Sequence, residues 1–113
     1  MNLRVSYTGC APTPAVLADL ARLETLWSWA RQTTGSQTQW LCGAYSAADA
    51  FFAPVAARIA TYNLPLGAEA MAYVTAHLAH PSFLKWRAMG LTDGPDQPVY
   101  RRDYALRDWP GPA

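Results

Sequence analysis

Apolar residues recur at helical spacing from Val16 onward. At about 100° per residue, Val16, Leu20, Leu23, Trp27 and Ala30 fall within one stripe roughly 80° wide. This spacing predicts an amphipathic helix from Ala15 to about Arg31. Its start is marked by Thr13, a good N-cap, and by Pro14, whose fixed φ suits the first helical position. Residues 1–12 are punctuated by Gly9 and Pro12 and read as irregular. Leu26 and Trp29 lie off the stripe, and Trp29 falls near the opposite face beside Ala18 and Arg22. It is either a single exposed aromatic or a contact for something else.

A polar loop, Thr33 to Gln39, separates this helix from the segment Trp40 to Tyr62. Ser46 is an N-cap candidate there. Asp49, three residues on, can reach back to the Ser46 amide, a capping box with Asp in place of the usual Glu or Gln. The helix that follows places Phe51, Phe52, Val55, Ile59 and Tyr62 on one side and fills its other faces mostly with Ala. A helix apolar nearly all round is expected to be a central post, packed on every side. Pro54 lies inside it, removes one backbone bond and is expected to kink it.

Pro65 builds a short turn at Asn63 to Gly67, and a third helix is expected from about Ala68 to Ala79 with Met71, Val74 and Leu78 inward. Pro81 starts a fourth through Leu84, Trp86 and Met89, with Gly90 as its stop. Past Leu91 the chain is rich in proline. Tyr100, Tyr104 and Trp109 are read as anchors that lay this tail on the helices, and Val99–Ala105 as a short strand without an obvious partner. The pattern gives an all-α domain over residues 1–91 and an irregular packed tail over 92–113.

Composition narrows the function classes. The 113 residues suit one domain, and 51% of them are hydrophobic, enough for a core. A formal net charge of +1 offers no basic face for a nucleic acid. Arg101 and Arg102, with Arg107 nearby, read as solvated surface. The longest apolar runs fall short of a membrane span. A disulfide framework in a small secreted domain needs more than two cysteines, and no signal peptide precedes them, so a reducing cytoplasm is expected. Cys42, beside Trp40 and Leu41, reads as a small buried hydrophobe, and Cys10 as part of an exposed loop.

Candidate chemistry is sparse. There is no Gly-rich phosphate loop and no zinc-type motif. His77 and His80 are three apart near a helix end, where they complement the dipole, and no ligand partners at metal spacing accompany them. Asp49 has a sufficient structural role in the capping box, so no catalytic residue is assigned. Arg58 sits near the apolar side of the central helix, one turn before Tyr62. A buried guanidinium there needs a partner, which Glu24 or Asp19 can supply; otherwise Arg58 and Tyr62 line a pocket.

The run Cys42-Gly43-Ala44-Tyr45-Ser46-Ala47-Ala48-Asp49-Ala50-Phe51-Phe52-Ala53-Pro54-Val55 resembles the C-terminal domain of the glutathione transferases. In that family a Gly, an aromatic and then Ser-x-Ala-Asp open the core helix, and the Ser and Asp form a capping box. Bacterial members often continue with Ala-Pro-Val, an Arg and a Tyr, as Arg58 and Tyr62 do here. Ala70-Met71-Ala72-Tyr73 and Pro81 to Trp86 match the later helices, so the resemblance covers roughly residues 1–91. One departure is that Tyr45 faces Ala50, where the family often staples the helix start with two bulky residues.

The resemblance implies an orthogonal helical bundle, a homodimer and a parent reaction in which a glutathione thiolate attacks a hydrophobic electrophile. Glutathione, the co-substrate, is held in the family by a thioredoxin-like N-terminal domain whose residues are absent from this chain. Met1-Asn2-Leu3-Arg4 itself resembles the end of the family's first all-α-domain helix. The chain is therefore expected to lack a complete active site, to contribute the electrophile pocket through Arg58 and Tyr62, and to need a missing N-terminal domain or a second copy as partner. The alternatives are a free-standing helical interaction module of the same fold, as on translation factors and tRNA synthetases, and a small ligand carrier using the same pocket. Neither a nucleic acid nor a membrane is an expected partner.

Overall fold

The computed structural model describes residues 2–113. Its helices are α1 (Pro14–Thr34), α2 (Ala47–Tyr62), α3 (Ala68–Ala79) and α4 (Pro81–Thr92). Two three-residue strands, β1 (Ser6–Thr8) and β2 (Ala105–Arg107), pair antiparallel with Tyr7 opposite Leu106. The amino-terminal stretch and the tail are thus each partly strand, and each is the other's partner. The tail strand begins where the expected one ended, because register with Ser6–Thr8 and not local propensity fixes its place.

Each helix boundary has a local cause. The Thr13 hydroxyl accepts the Val16 N–H at 3.3 Å, and α1 ends at Gly35, whose φ of 65° is the left-handed turn glycine adopts without strain. Asn63 ends α2 in the same conformation at φ 49°, one that Asn tolerates better than most residues. The His80 ring accepts the Ser82 N–H at 3.2 Å and so opens α4, with Pro81 in the first position. That helix runs through Gly90 and stops at Asp93 instead, since one glycine costs only about 1 kcal/mol and does not end a helix.

The core gathers Leu20 and Trp27 of α1, Ala56, Ala57, Ile59 and Ala60 of α2, Tyr73, Val74 and Leu78 of α3, and Phe83 of α4. Trp27 lies edge-on to Tyr73 at 4.8 Å and to Phe52 at 5.5 Å. The expected α1 stripe is the face turned inward, and Trp29 is exposed.

The central post is enclosed only in part. Ala47, Ala50, Phe51, Pro54 and Arg58, spaced at one helical turn, form an open stripe, with Phe51 84% exposed. The molecule measures 42 × 33 × 19 Å, and 19 Å is about two helix diameters. A helix in a two-layer slab keeps one face in water. Pro54 lies on that face, and α2 continues past it without a break.

Three other inward assignments change. Met71 is exposed, and Tyr73 and His77 are the α3 residues buried beside Val74 and Leu78. Cys42 is exposed, because the tight turn bridging Trp40 to Gly43 sends Leu41 inward and its neighbour outward. In the tail Trp109 is the anchor. It packs on the core and under the Arg87 guanidinium, 4.6 Å from the ring centroid, whereas Tyr100 is exposed. Arg87 is itself nearly buried. Its Nε donates to the Leu3 carbonyl at 3.1 Å, and burial pushes its pKa down.

Hydrogen bonds fix the amino terminus on α2. The Ser6 hydroxyl donates to the Ala60 carbonyl at 2.6 Å, and the Asn2 N–H donates to Thr61 Oγ1 at 3.1 Å. Among the described residues no helix is long and apolar enough to cross a membrane.

Candidate functional site

The start of α2 is organised by one carboxylate. Asp49 is fully buried and accepts from several donors. Oδ2 takes the Ser46 N–H at 2.9 Å and the Ser46 hydroxyl at 3.2 Å, and Oδ1 takes the Leu41 N–H at 3.1 Å and the Tyr73 phenol at 2.8 Å. The capping box expected of Ser46 and Asp49 is present. The sequence pattern did not reveal that the same carboxylate also holds the preceding turn and α3. A buried charge is tolerable only when its lone pairs are filled in this way.

His77 adds a second tie between the same helices. Its Nδ1 lies 3.0 Å from the Tyr73 carbonyl and its Nε2 lies 2.9 Å from the Asp49 carbonyl. Besides lying in the last turn of α3, where the sequence placed it, the ring is a buried crossbrace between α3 and α2. His80 stacks on Tyr45 at 3.9 Å, and Trp40 stands edge-on to both at 5.4 and 4.9 Å. Among the described residues no three His, Cys, Asp or Glu side chains come together as a metal-binding group.

Burial, and next the hydrogen bond to Asp49, push the Tyr73 phenol well above its ordinary 10.0. Above pH 10 the unfolded chain releases this proton while the folded chain keeps it. The folded state then binds more protons, so stability falls as pH rises; below pH 10 the contribution is fully present. Tyr73→Phe is expected to cost about 1.5–3 kcal/mol at neutral pH, through loss of a hydrogen bond to a charged group. It should also flatten the alkaline decline. Urea midpoints at pH 7 and pH 11 check both; a decline equally steep in the two proteins would assign it to other tyrosines.

The second feature is a pair of hollows that meet at Arg58. One, about 390 Å³, is a groove between α1 and α2 lined by Val16, Leu20, Leu23, Leu26, Val55, Ile59 and Leu64, with Asp19, Arg22 and Arg58 on it. The other, about 330 Å³, holds Cys10, Thr13, Arg58, Tyr62, Arg102 and Tyr104 and shares Val16 and Leu64 with the first. The two residues expected to line a pocket, Arg58 and Tyr62, are thus in one cavity.

Arg58 is exposed and makes no ion pair with Asp19 or Glu24. Glu24 is spent elsewhere: its carboxylate accepts the Gly67 N–H at the start of α3. Tyr62 stacks on Tyr7 at 5.8 Å, which itself meets Tyr104 edge-on at 6.1 Å. Cys10, Arg102 and Tyr104 were not legible as site residues. They arrive from the two ends of the chain, brought together by the strand pairing, and no local pattern announces such a meeting.

Comparisons with protein-family models, with curated proteins and with solved structures find no match for this chain.

Proposed function

We propose that this chain is the helical, electrophile-binding half of a glutathione-transferase-like protein, with its four helices forming that family's orthogonal bundle. The observation that supports it is the buried box at the start of α2. The resemblance of the run from Cys42 to Val55 makes Ser46 and Asp49 the family's capping pair, and Asp49 is the fully buried acceptor joining Ser46, Leu41 and Tyr73. On this reading the aliphatic groove between α1 and α2 shelters an apolar substrate from water, and Arg58 and Tyr62 orient its polar end. Glutathione and the activation of its thiol belong to a thioredoxin-like domain outside these residues. The isolated chain is accordingly inactive in conjugation.

The coding sequence upstream of Met1 tests this. An in-frame thioredoxin-like domain is the expected finding. A stop codon directly upstream, with an intact mass from the native source equal to this chain alone, would contradict the enzyme reading.

A second reading, a free-standing interaction module that pairs with a copy of itself, is favoured by Trp29 at 60% exposed and by Phe51 on the open α2 stripe. Light scattering tests it: a dimer is expected, as it is on the transferase reading too, and a monomer across the micromolar range removes it.

A further inference from the structure

The groove and the hollow beside it differ in chemistry. The groove walls are aliphatic, from Val16, Leu20, Leu23, Val55, Ile59 and Leu64. The hollow beside it shares Val16, Arg58 and Leu64 with the groove, and Arg58, Arg102, Tyr62 and Tyr104 are among the residues that line it, with no Asp or Glu. Arg58 has no hydrogen bond or ion pair among the described residues. Arg102 commits one nitrogen, Nη1, to the carbonyls of Val99 and Arg101 at 2.9 Å, so its remaining N–H groups are not held by these bonds. Asp19 and Arg22 face the groove from α1, and their charges offset each other. Positive charge is therefore left over at the Arg58 end, next to an apolar channel of ordinary small-molecule size, about 300–1,000 Å³.

We infer that this confluence is a binding site for a small amphipathic anion, an alkyl carboxylate, with its chain in the α1–α2 groove and its carboxylate between Arg58 and Arg102. A planar carboxylate matches the fork of a guanidinium, and partial withdrawal from water strengthens the pairing. A neutral chain of equal length gains only the apolar burial, and a cationic one is repelled. The site needs neither thiol transfer nor a second domain, so it stands or falls apart from the reading above.

The structure supplies a reporter. Cys10 lines the hollow and Cys42 is exposed elsewhere. Cys10 is half-buried, and that burial raises its thiol above the ordinary 9.0, which makes it a slow target for alkylation even without ligand. The test uses the purified chain with decanoate, decanol and decyltrimethylammonium, measuring affinity by calorimetry and N-ethylmaleimide labelling of each cysteine by mass spectrometry.

Decanoate is expected to bind about tenfold more tightly than decanol, the worth of one charge-assisted hydrogen bond, with the cation weaker still. It should slow labelling of Cys10 several-fold and leave Cys42 unchanged. Arg58→Gln and Arg102→Gln, both at exposed positions, should each weaken decanoate by about threefold, an equal share of that tenfold, and leave decanol unaffected. Equal affinity for the three probes, an unprotected Cys10, or decanoate binding indifferent to both substitutions would overturn the assignment. Decanoate binding by a chain whose gene encodes no thioredoxin-like domain would uphold it while removing the transferase reading.

Discussion

Replacing Asp49 by Ala is expected to remove about a third or more of this protein's stability, and in a domain at the low end of the usual range nearly all of it. Four donors lose their acceptor at once: the N–H groups of Leu41 and Ser46, the Ser46 hydroxyl and the Tyr73 phenol. All four bonds end on a fully buried carboxylate, so water does not readily take its place. Breaking such a buried charged network costs about 3–5 kcal/mol. A domain of this size holds only about 5–15 kcal/mol in total.

Asp49→Asn keeps one carbonyl acceptor for Leu41 and Tyr73 but sets an amide nitrogen against the Ser46 N–H, donor to donor. It falls between wild type and Ala. Ser46→Ala leaves the bond from the Ser46 N–H to Asp49 in place and costs about 1 kcal/mol. Urea midpoints read by circular dichroism check the order, with Asp49→Ala lowest and Ser46→Ala highest. An Asp49→Ala midpoint equal to that of wild type would mean the carboxylate does not organise the helix start.

Trp27→Ala is the other large effect. The side chain is fully buried between Phe52 and Tyr73 and is the largest one so enclosed. Truncation removes its apolar burial and leaves a cavity where α1, α2 and α3 meet, at a cost of about 3–5 kcal/mol. The indole N–H has no hydrogen-bond partner, so its loss leaves no acceptor unfilled. Trp27→Phe is therefore expected to lose only part of the packing, about 1–2 kcal/mol. Thermal and urea unfolding of the two variants give the comparison. Equal losses would mean that a phenyl ring recovers none of the packing the indole makes with Phe52 and Tyr73.

What the residue pattern revealed and what it hid divide along physical lines. The starts of α1 and α2 were legible because capping is local: Thr13 with Pro14, and Ser46 with Asp49, act within one turn of chain. The α1 stripe was legible because polar residues flank it. In α2 they do not, and an alanine-rich helix looks apolar on every side, so the sequence does not say which face meets water. Phe51 and Phe52 are neighbours in sequence and point about 100° apart, yet only Phe52 packs on the core. The thinness of the molecule decides that, and thinness is a property of the whole.

The same limit applies at the candidate site. Arg58 and Tyr62 were legible as one helix face. Arg102, Tyr104 and Cys10 join them through the pairing of β1 with β2, whose partners lie at opposite ends of the chain. The Arg58 partner was misread for a related reason. Glu24 is one turn from Leu20 on α1 and looked available, but the exposed N–H of Gly67 at the start of α3 claims it.

On the proposed function, these residues form the apolar-substrate side of a thiol-transfer enzyme and the thiol is held by another domain. Titrating the purified chain with glutathione while following its tryptophan emission tests this most directly. A featureless response through the micromolar range is the expected result. A saturable change at micromolar glutathione would place the thiol site within these residues and contradict it.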